Sequence, residues 1–133
     1  MIKQHQYTIK VEWTGNKGSG TFDYRSYSRN HTISHEGKNE SILASSDPNF
    51  RGEQQKYNPE ELFVSSLAGC HMLWYLHLWA TNDVIVLEYV DHPMGTMEED
   101  VDGSGRFTEV VLRPEVVVSK EEMIPKALDL HAK

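Results

Sequence analysis

Asn58-Pro59-Glu60-Glu61-Leu62-Phe63-Val64-Ser65-Ser66-Leu67-Ala68-Gly69-Cys70-His71-Met72-Leu73-Trp74-Tyr75-Leu76 is the stretch on which the reading of this chain turns. Asn58 is a good N-cap, and Pro59 suits the first helical position, where its missing N–H costs nothing. Glu61 falls at the third position, and both glutamates complement the positive end of the helix dipole. The pattern predicts a helix from Pro59 to about Ala80, roughly 33 Å long at 1.5 Å per residue. Its second half is apolar nearly all round, so it calls for cover on most sides. A single small sheet cannot wrap such a helix; a second subunit can.

Working outward, the N-terminal third reads as strands. Tyr7, Ile9, Val11 and Trp13 alternate with Thr8, Lys10 and Glu12, the pattern of a half-buried strand. After a turn cluster at Thr14–Gly20, a second strand is expected over Thr21–Tyr27, with Phe22 and Tyr24 on one face. Thr32-Ile33-Ser34 and Ser41-Ile42-Leu43 flank His35-Glu36-Gly37-Lys38, a hairpin turn. Ala44 to Tyr57 is a polar loop.

Beyond the helix, Val84–Val90 is a β-branched strand and Pro93–Gly105 an acidic loop or hairpin turn. Arg106–Val118 reads as a strand or strand pair, with Pro114 at an edge or bulge. Ser119 and Glu122 form a second capping box, and Pro125 interrupts or restarts the helix that follows. Strands, central helix, strands and terminal helix make an α+β chain, read as one domain over residues 1–133.

The formal net charge is -7 with the charges interspersed, which argues against nucleic-acid binding and against an acidic interaction tail. Met1–Gln6 lacks the apolar core of a signal peptide, and no stretch is apolar enough to cross a bilayer. A lone cysteine with no export signal fits a reducing cytoplasm, so the expected location is cytoplasmic.

Cys70 is the only cysteine. Free cysteine is commonly a small core residue, so packing competes with reactivity as its role. Three turns from the helix start, it is too deep for the dipole to acidify it strongly. His71 points about 100° away from it, and His77 lies about 10 Å along the axis, so neither makes a convincing dyad. No CxxC or HExxH spacing indicates a metal site, and Asp100–Gly105 reads as a tight turn rather than a calcium loop. No metal and no cofactor are expected. A nucleophilic thiol in an apolar setting needs a cation to hold it as thiolate. The arginines are Arg25, Arg29, Arg51, Arg106 and Arg113. Arg51 lies in the loop feeding the helix, where Glu60 can orient a guanidinium by a bidentate pair.

The run Tyr57–Phe63 followed by Ser65-Ser66-Leu67-Ala68-Gly69-Cys70 resembles the signature helix of the OsmC/Ohr proteins, osmotically induced and organic-hydroperoxide-resistance thiol peroxidases. The Asn-Pro-Glu-Glu start, the small residues and the position of the cysteine all match. Ser45–Gly52 and the acidic hairpin resemble one branch of OsmC-like proteins, so the likeness covers essentially the whole chain.

The resemblance implies an intertwined homodimer, with antiparallel sheets wrapped around long central helices. It implies that Cys70 attacks the O–O bond of an organic hydroperoxide, giving a sulfenic acid and an alcohol. An arginine stabilises the thiolate and the developing alkoxide, held by Glu60. The OsmC-type loop points to Arg51 for that role, and the Ohr-type pattern to Arg25 or Arg29. The family also has a resolving cysteine after the second helix, which residues up to Lys133 do not include. Either a longer chain supplies it or an external thiol or dithiol is the reductant. Leu67, Leu73 and Trp74, on the cysteine side, suit an alkyl or lipid peroxide as substrate. The rival reading is a non-catalytic dimer of the same fold that binds a small apolar molecule or senses redox state through Cys70.

Geometry adds one expectation. On a straight helix Glu60 and Cys70 are about 15 Å apart along the axis. Either the helix breaks near Gly69, or Glu60 and its arginine approach from a partner subunit. An obligate homodimer with no nucleic-acid or membrane partner is therefore expected.

Overall fold

The computed structural model describes residues 2–132. The fold is α+β, as expected, and the chain divides into two compact units between Pro59 and Glu60.

The N-terminal unit is built on a three-stranded antiparallel sheet in the order β1 (Lys10–Trp13), β2 (His31–Ser34), β3 (Ile42–Ala44). Val11 pairs with Ile33, and Ile33 with Ile42, which puts three β-branched residues in one row across the sheet. The expected turn between β2 and β3 is closed by Lys38 N–H donating to His35 O at 3.1 Å. Gly37 there has φ 88°, a value that glycine adopts without a Cβ penalty.

Two expectations fail in this unit. The first strand begins only at Lys10, so Tyr7–Ile9 lie outside it. Thr21–Tyr27 forms successive turns instead of a strand. Its polar residues bond locally: Ser26 N–H donates to Asp23 O at 2.9 Å, and Asp23 N–H to Ser26 Oγ at 3.0 Å. Such bonds offer the backbone an alternative to a ladder. Arg29 then ties the loop together. Its Nη atoms donate to Tyr27 O and Tyr24 O at 2.8 Å each, and its guanidinium lies 3.8 Å and 4.5 Å from those two ring centroids.

The polar loop after β3 contains a short 3-10 turn at Pro48–Phe50, capped by Asp47 accepting from Asn49 N–H. Ala44 and Ser45 are fully buried, and Ser45 Oγ accepts from Glu53 N–H.

The C-terminal unit contains α1 (Pro59–Thr81), which matches the expected helix to within a residue. Four strands follow: β4 (Val86–Asp91), β5 (Met94–Glu99), β6 (Gly105–Val111) and β7 (Pro114–Val118). They pair antiparallel as β4–β7 and β5–β6. The acidic segment is thus mostly strand. Its tight turn is set by Asp100 N–H to Ser104 O at 2.7 Å, with Gly103 at φ 88°. Gly95 on β5 is needed for packing, because a Cβ there would meet Val64 of α1 at 2.5 Å and Phe107 of β6 at 3.0 Å.

The capping box at Ser119 does not form; its Oγ lies 3.5 Å from Met123 Sδ instead. A 3-10 turn at Glu121–Met123 leads into α2 (Ile124–His131), with Pro125 in its first turn. Proline therefore restarts the helix where its fixed φ is an advantage. The core of this unit is Trp79, Val84, Ala127 and Leu130, with Tyr89, Val116 and Val118 against it. Trp79 Nε1–H donates to Ala127 O at 3.1 Å, so one indole both fills the core and pins α2.

Candidate functional site

Within α1, only Ala68 and Trp79 are buried. Among the described residues, the wrapping that the sequence calls for is not supplied. Phe63, Leu67, Cys70 and Trp74 recur at spacings of four, three and four, which lines them along one face of the helix. Cys70 is exposed, as are Phe63, Leu67 (39%), Leu73 (65%) and Trp74 (55%). Three of these large apolar side chains, Leu67, Leu73 and Trp74, are the expected substrate-side residues. They share the helix with Cys70.

Gly69, beside the cysteine, sits in regular helix, and a Cβ added there would meet nothing within 4 Å. The helix does not break at Gly69. Ser65 and Ser66 return their hydroxyls to Leu62 O and Phe63 O, so neither offers a free donor toward the thiol. Ten residues of unbroken helix put Glu60 and Cys70 about 15 Å apart along the axis. Glu60 of a given chain cannot hold an arginine against its own Cys70.

Glu60 has a buried carboxylate oxygen, Oε2, with no hydrogen-bond partner among the described residues. A buried acceptor left empty costs about 1–3 kcal/mol, so this oxygen is suited to a donor from elsewhere. Arg51 belongs to the N-terminal unit and closes the Pro48–Phe50 turn in the left-handed conformation, φ 67°. Its guanidinium makes no hydrogen bond or ion pair among the described residues. Of the alternatives, Arg25 is exposed and Arg29 is already bound to two carbonyls and two rings. Arg51 is therefore freer than Arg29, and it shares its exposure with Arg25.

His71 turns away from the thiol, as the helix geometry requires. Its Nε2 lies 2.9 Å from Nε2 of His131 on α2, and its ring packs on Tyr75 at 4.6 Å. Burial, and then the charge of His131, hold the His71 pKa below its ordinary value, against a smaller pull upward from Asp91. Sequence reasoning placed His71 as an ordinary core or surface histidine and gave His131 no role. No spacing signal joins residues so far apart in the chain. Among the described residues, no group of three or more His, Cys, Asp or Glu side chains could hold a metal ion. No helix there is long and apolar enough to cross a membrane.

These features can be set against known proteins. The model of the OsmC-like protein family matches residues 52–133, which includes all of α1 and everything after it. The chain belongs to the OsmC-like family. A solved OsmC-like protein of unknown function from Vibrio cholerae is similar over 97% of this chain and 86% of its own, at 32% identity and a TM-score of 0.82. An OsmC-like protein from Mycoplasma pneumoniae shares the fold at 16% identity and a TM-score of 0.67, over 98% of this chain and 83% of its own. No curated protein matches this OsmC-like chain.

Proposed function

We propose that this OsmC-like chain is a thiol peroxidase that reduces organic hydroperoxides through Cys70. The observation that carries the reading is an exposed thiol set in an exposed apolar stripe at the middle of the family's helix. The Cys70 thiolate attacks the nearer peroxide oxygen, the O–O bond breaks, and the departing alkoxide takes a proton and leaves as the alcohol. Cys70 is left as a sulfenic acid. An external thiol condenses with it, releasing water and forming a mixed disulfide, and a second thiol equivalent returns Cys70 to the reduced state.

The functional unit in this reading is a homodimer. The partner covers the apolar face of α1 and brings its Glu60 with an arginine, Arg51, to Cys70. The unbroken helix, the empty Glu60 Oε2 and the unpaired Arg51 guanidinium all support that arrangement. Leu67, Leu73 and Trp74 then line the site and favour an alkyl or lipid peroxide over hydrogen peroxide.

Cumene hydroperoxide consumption, with dithiothreitol or a lipoyl dithiol as reductant, tests the proposal. Wild type should turn over many equivalents and Cys70→Ser none; equal turnover in the two would sink it. A second reading, a non-catalytic dimer with Cys70 as a redox sensor, is favoured by one observation. The Cys70 thiol has no hydrogen-bond partner among the described residues. A single stoichiometric oxidation without turnover would select that reading.

A further inference from the structure

The imidazoles of His71 and His131 meet Nε2 to Nε2 at 2.9 Å, sixty residues apart in sequence. At that separation one nitrogen must carry the hydrogen and the other must be bare to accept it. Two fully protonated rings would aim two N–H groups, each on a cation, at one another. The contact therefore tolerates at most one positive charge.

We propose that this histidine pair is an acid-sensitive latch that holds α2 on α1 and releases it once both rings are protonated. The latch sits where release would matter. α2 is a two-turn helix held by few side chains: Ala127 and Leu130 in the core, Ala127 O on Trp79 Nε1, and His131 on His71. His131 also packs on Tyr75 at 4.6 Å and stacks on Trp79 at 6.3 Å. Losing the His131 contact takes the C-terminal turn of α2 off both aromatic rings. The contact also borders a cleft of about 360 Å³, lined by Trp79, Val116, Val118, Ala127 and His131, which release would widen.

The other titratable groups on the neighbouring elements do not reverse this. From β4, Asp91 is the carboxylate that acts on His71, and it favours the charged ring. Its effect is outweighed by burial and by His131. Asp91 Oδ1 is already taken by Arg113 N–H at 2.7 Å. Burial, and then Asp91, push the Tyr89 hydroxyl of β4 above its ordinary value, so it carries no charge toward the pair. Lys126, Asp129 and, on β7, Glu115 are exposed to solvent, which screens their charges.

The direction follows from linkage. His71 is easier to protonate in the released state, so acid favours release. Latching is complete above the ordinary histidine pKa of about 6.5 and is lost as pH falls through the lower value in the latched state. Each pH unit between the two values changes the released fraction by about tenfold.

The test is a pH titration of Trp79 fluorescence in a Trp13→Phe/Trp74→Phe background. Emission should shift to the red as pH falls from 7.5 to 5, with a midpoint below 6.5, while far-ultraviolet circular dichroism keeps the α1 signal. His131→Gln keeps a polar side chain at the contact but cannot become charged, and it should abolish that transition. The same transition in His131→Gln would overturn the latch and place the sensitivity on a carboxylate such as Asp91. Ring-proton NMR on the unmutated chain checks the idea without a folding risk. It should show two coupled histidines, one titrating below 6.5; two independent rings at ordinary values would overturn the proposal.

Discussion

Gly95 shows how much one missing methyl decides. Its Cα hydrogens face Val64 on α1, and an alanine Cβ would sit 2.5 Å from Val64 Cγ2. Gly95→Ala should cost about 1–3 kcal/mol, the range for overpacking, seen as a lower urea midpoint at unchanged slope. Pairing it with Val64→Ala should recover part of the loss, because the shortened side chain makes room. An unchanged midpoint in the single variant would mean that β5 does not pack on α1 this way. Trp79→Phe makes a second test. It removes the donor to Ala127 O and should cost about 1 kcal/mol beyond the loss of ring volume. Neither role is visible in sequence, where Gly95 lies in an acidic stretch that reads as a loop or hairpin turn. The same holds for the histidine latch, which joins residues on two helices. Cys70, Glu60 and Arg51 could be put forward from sequence because each stands in or beside one continuous motif.

Elements were legible where local rules and tertiary packing agree. α1 has its cap, its proline and its early acids in order, and it forms over Pro59–Thr81. The β2–β3 hairpin has a glycine at its turn and forms in the expected place. Thr21–Tyr27 failed because period-two alternation was outvoted by side-chain bonds from Asp23 and Ser26. The Ser119 box failed because Pro125 moves the helix start downstream. At this scale Gly69 is the informative position. An alanine Cβ there would meet nothing within 4 Å among the described residues outside the helix's own neighbouring backbone, and it should raise α1 stability by about 0.5–1 kcal/mol. If a partner helix approaches closest at Gly69, Gly69→Ala should instead weaken dimerisation while the far-ultraviolet helix signal holds or rises. Sedimentation equilibrium separates the outcomes, and unchanged association would place the contact elsewhere on α1.

At the scale of the whole molecule, the unanswered demand is cover for α1. Leu67, Leu73 and Trp74 stand exposed beside Cys70, and a second copy of the chain is the cover proposed for them. That proposal makes a prediction about ownership of the site. If Glu60 serves the partner subunit's Cys70, then Cys70→Ser and Glu60→Ala homodimers are each defective in both sites. Mixing them through a denaturation and refolding cycle forms heterodimers in which one site has an intact thiol and an intact carboxylate. With random pairing, half the dimers are mixed and each carries one good site, so about a quarter of wild-type turnover should return. If both residues act within one chain, every mixed dimer still lacks one or the other at each site, and mixing restores nothing. A continuous helix with its carboxylate about 15 Å along the axis from its thiol favours the first outcome. The size of the recovery reports the connectivity of the dimer directly, without a structure of the complex.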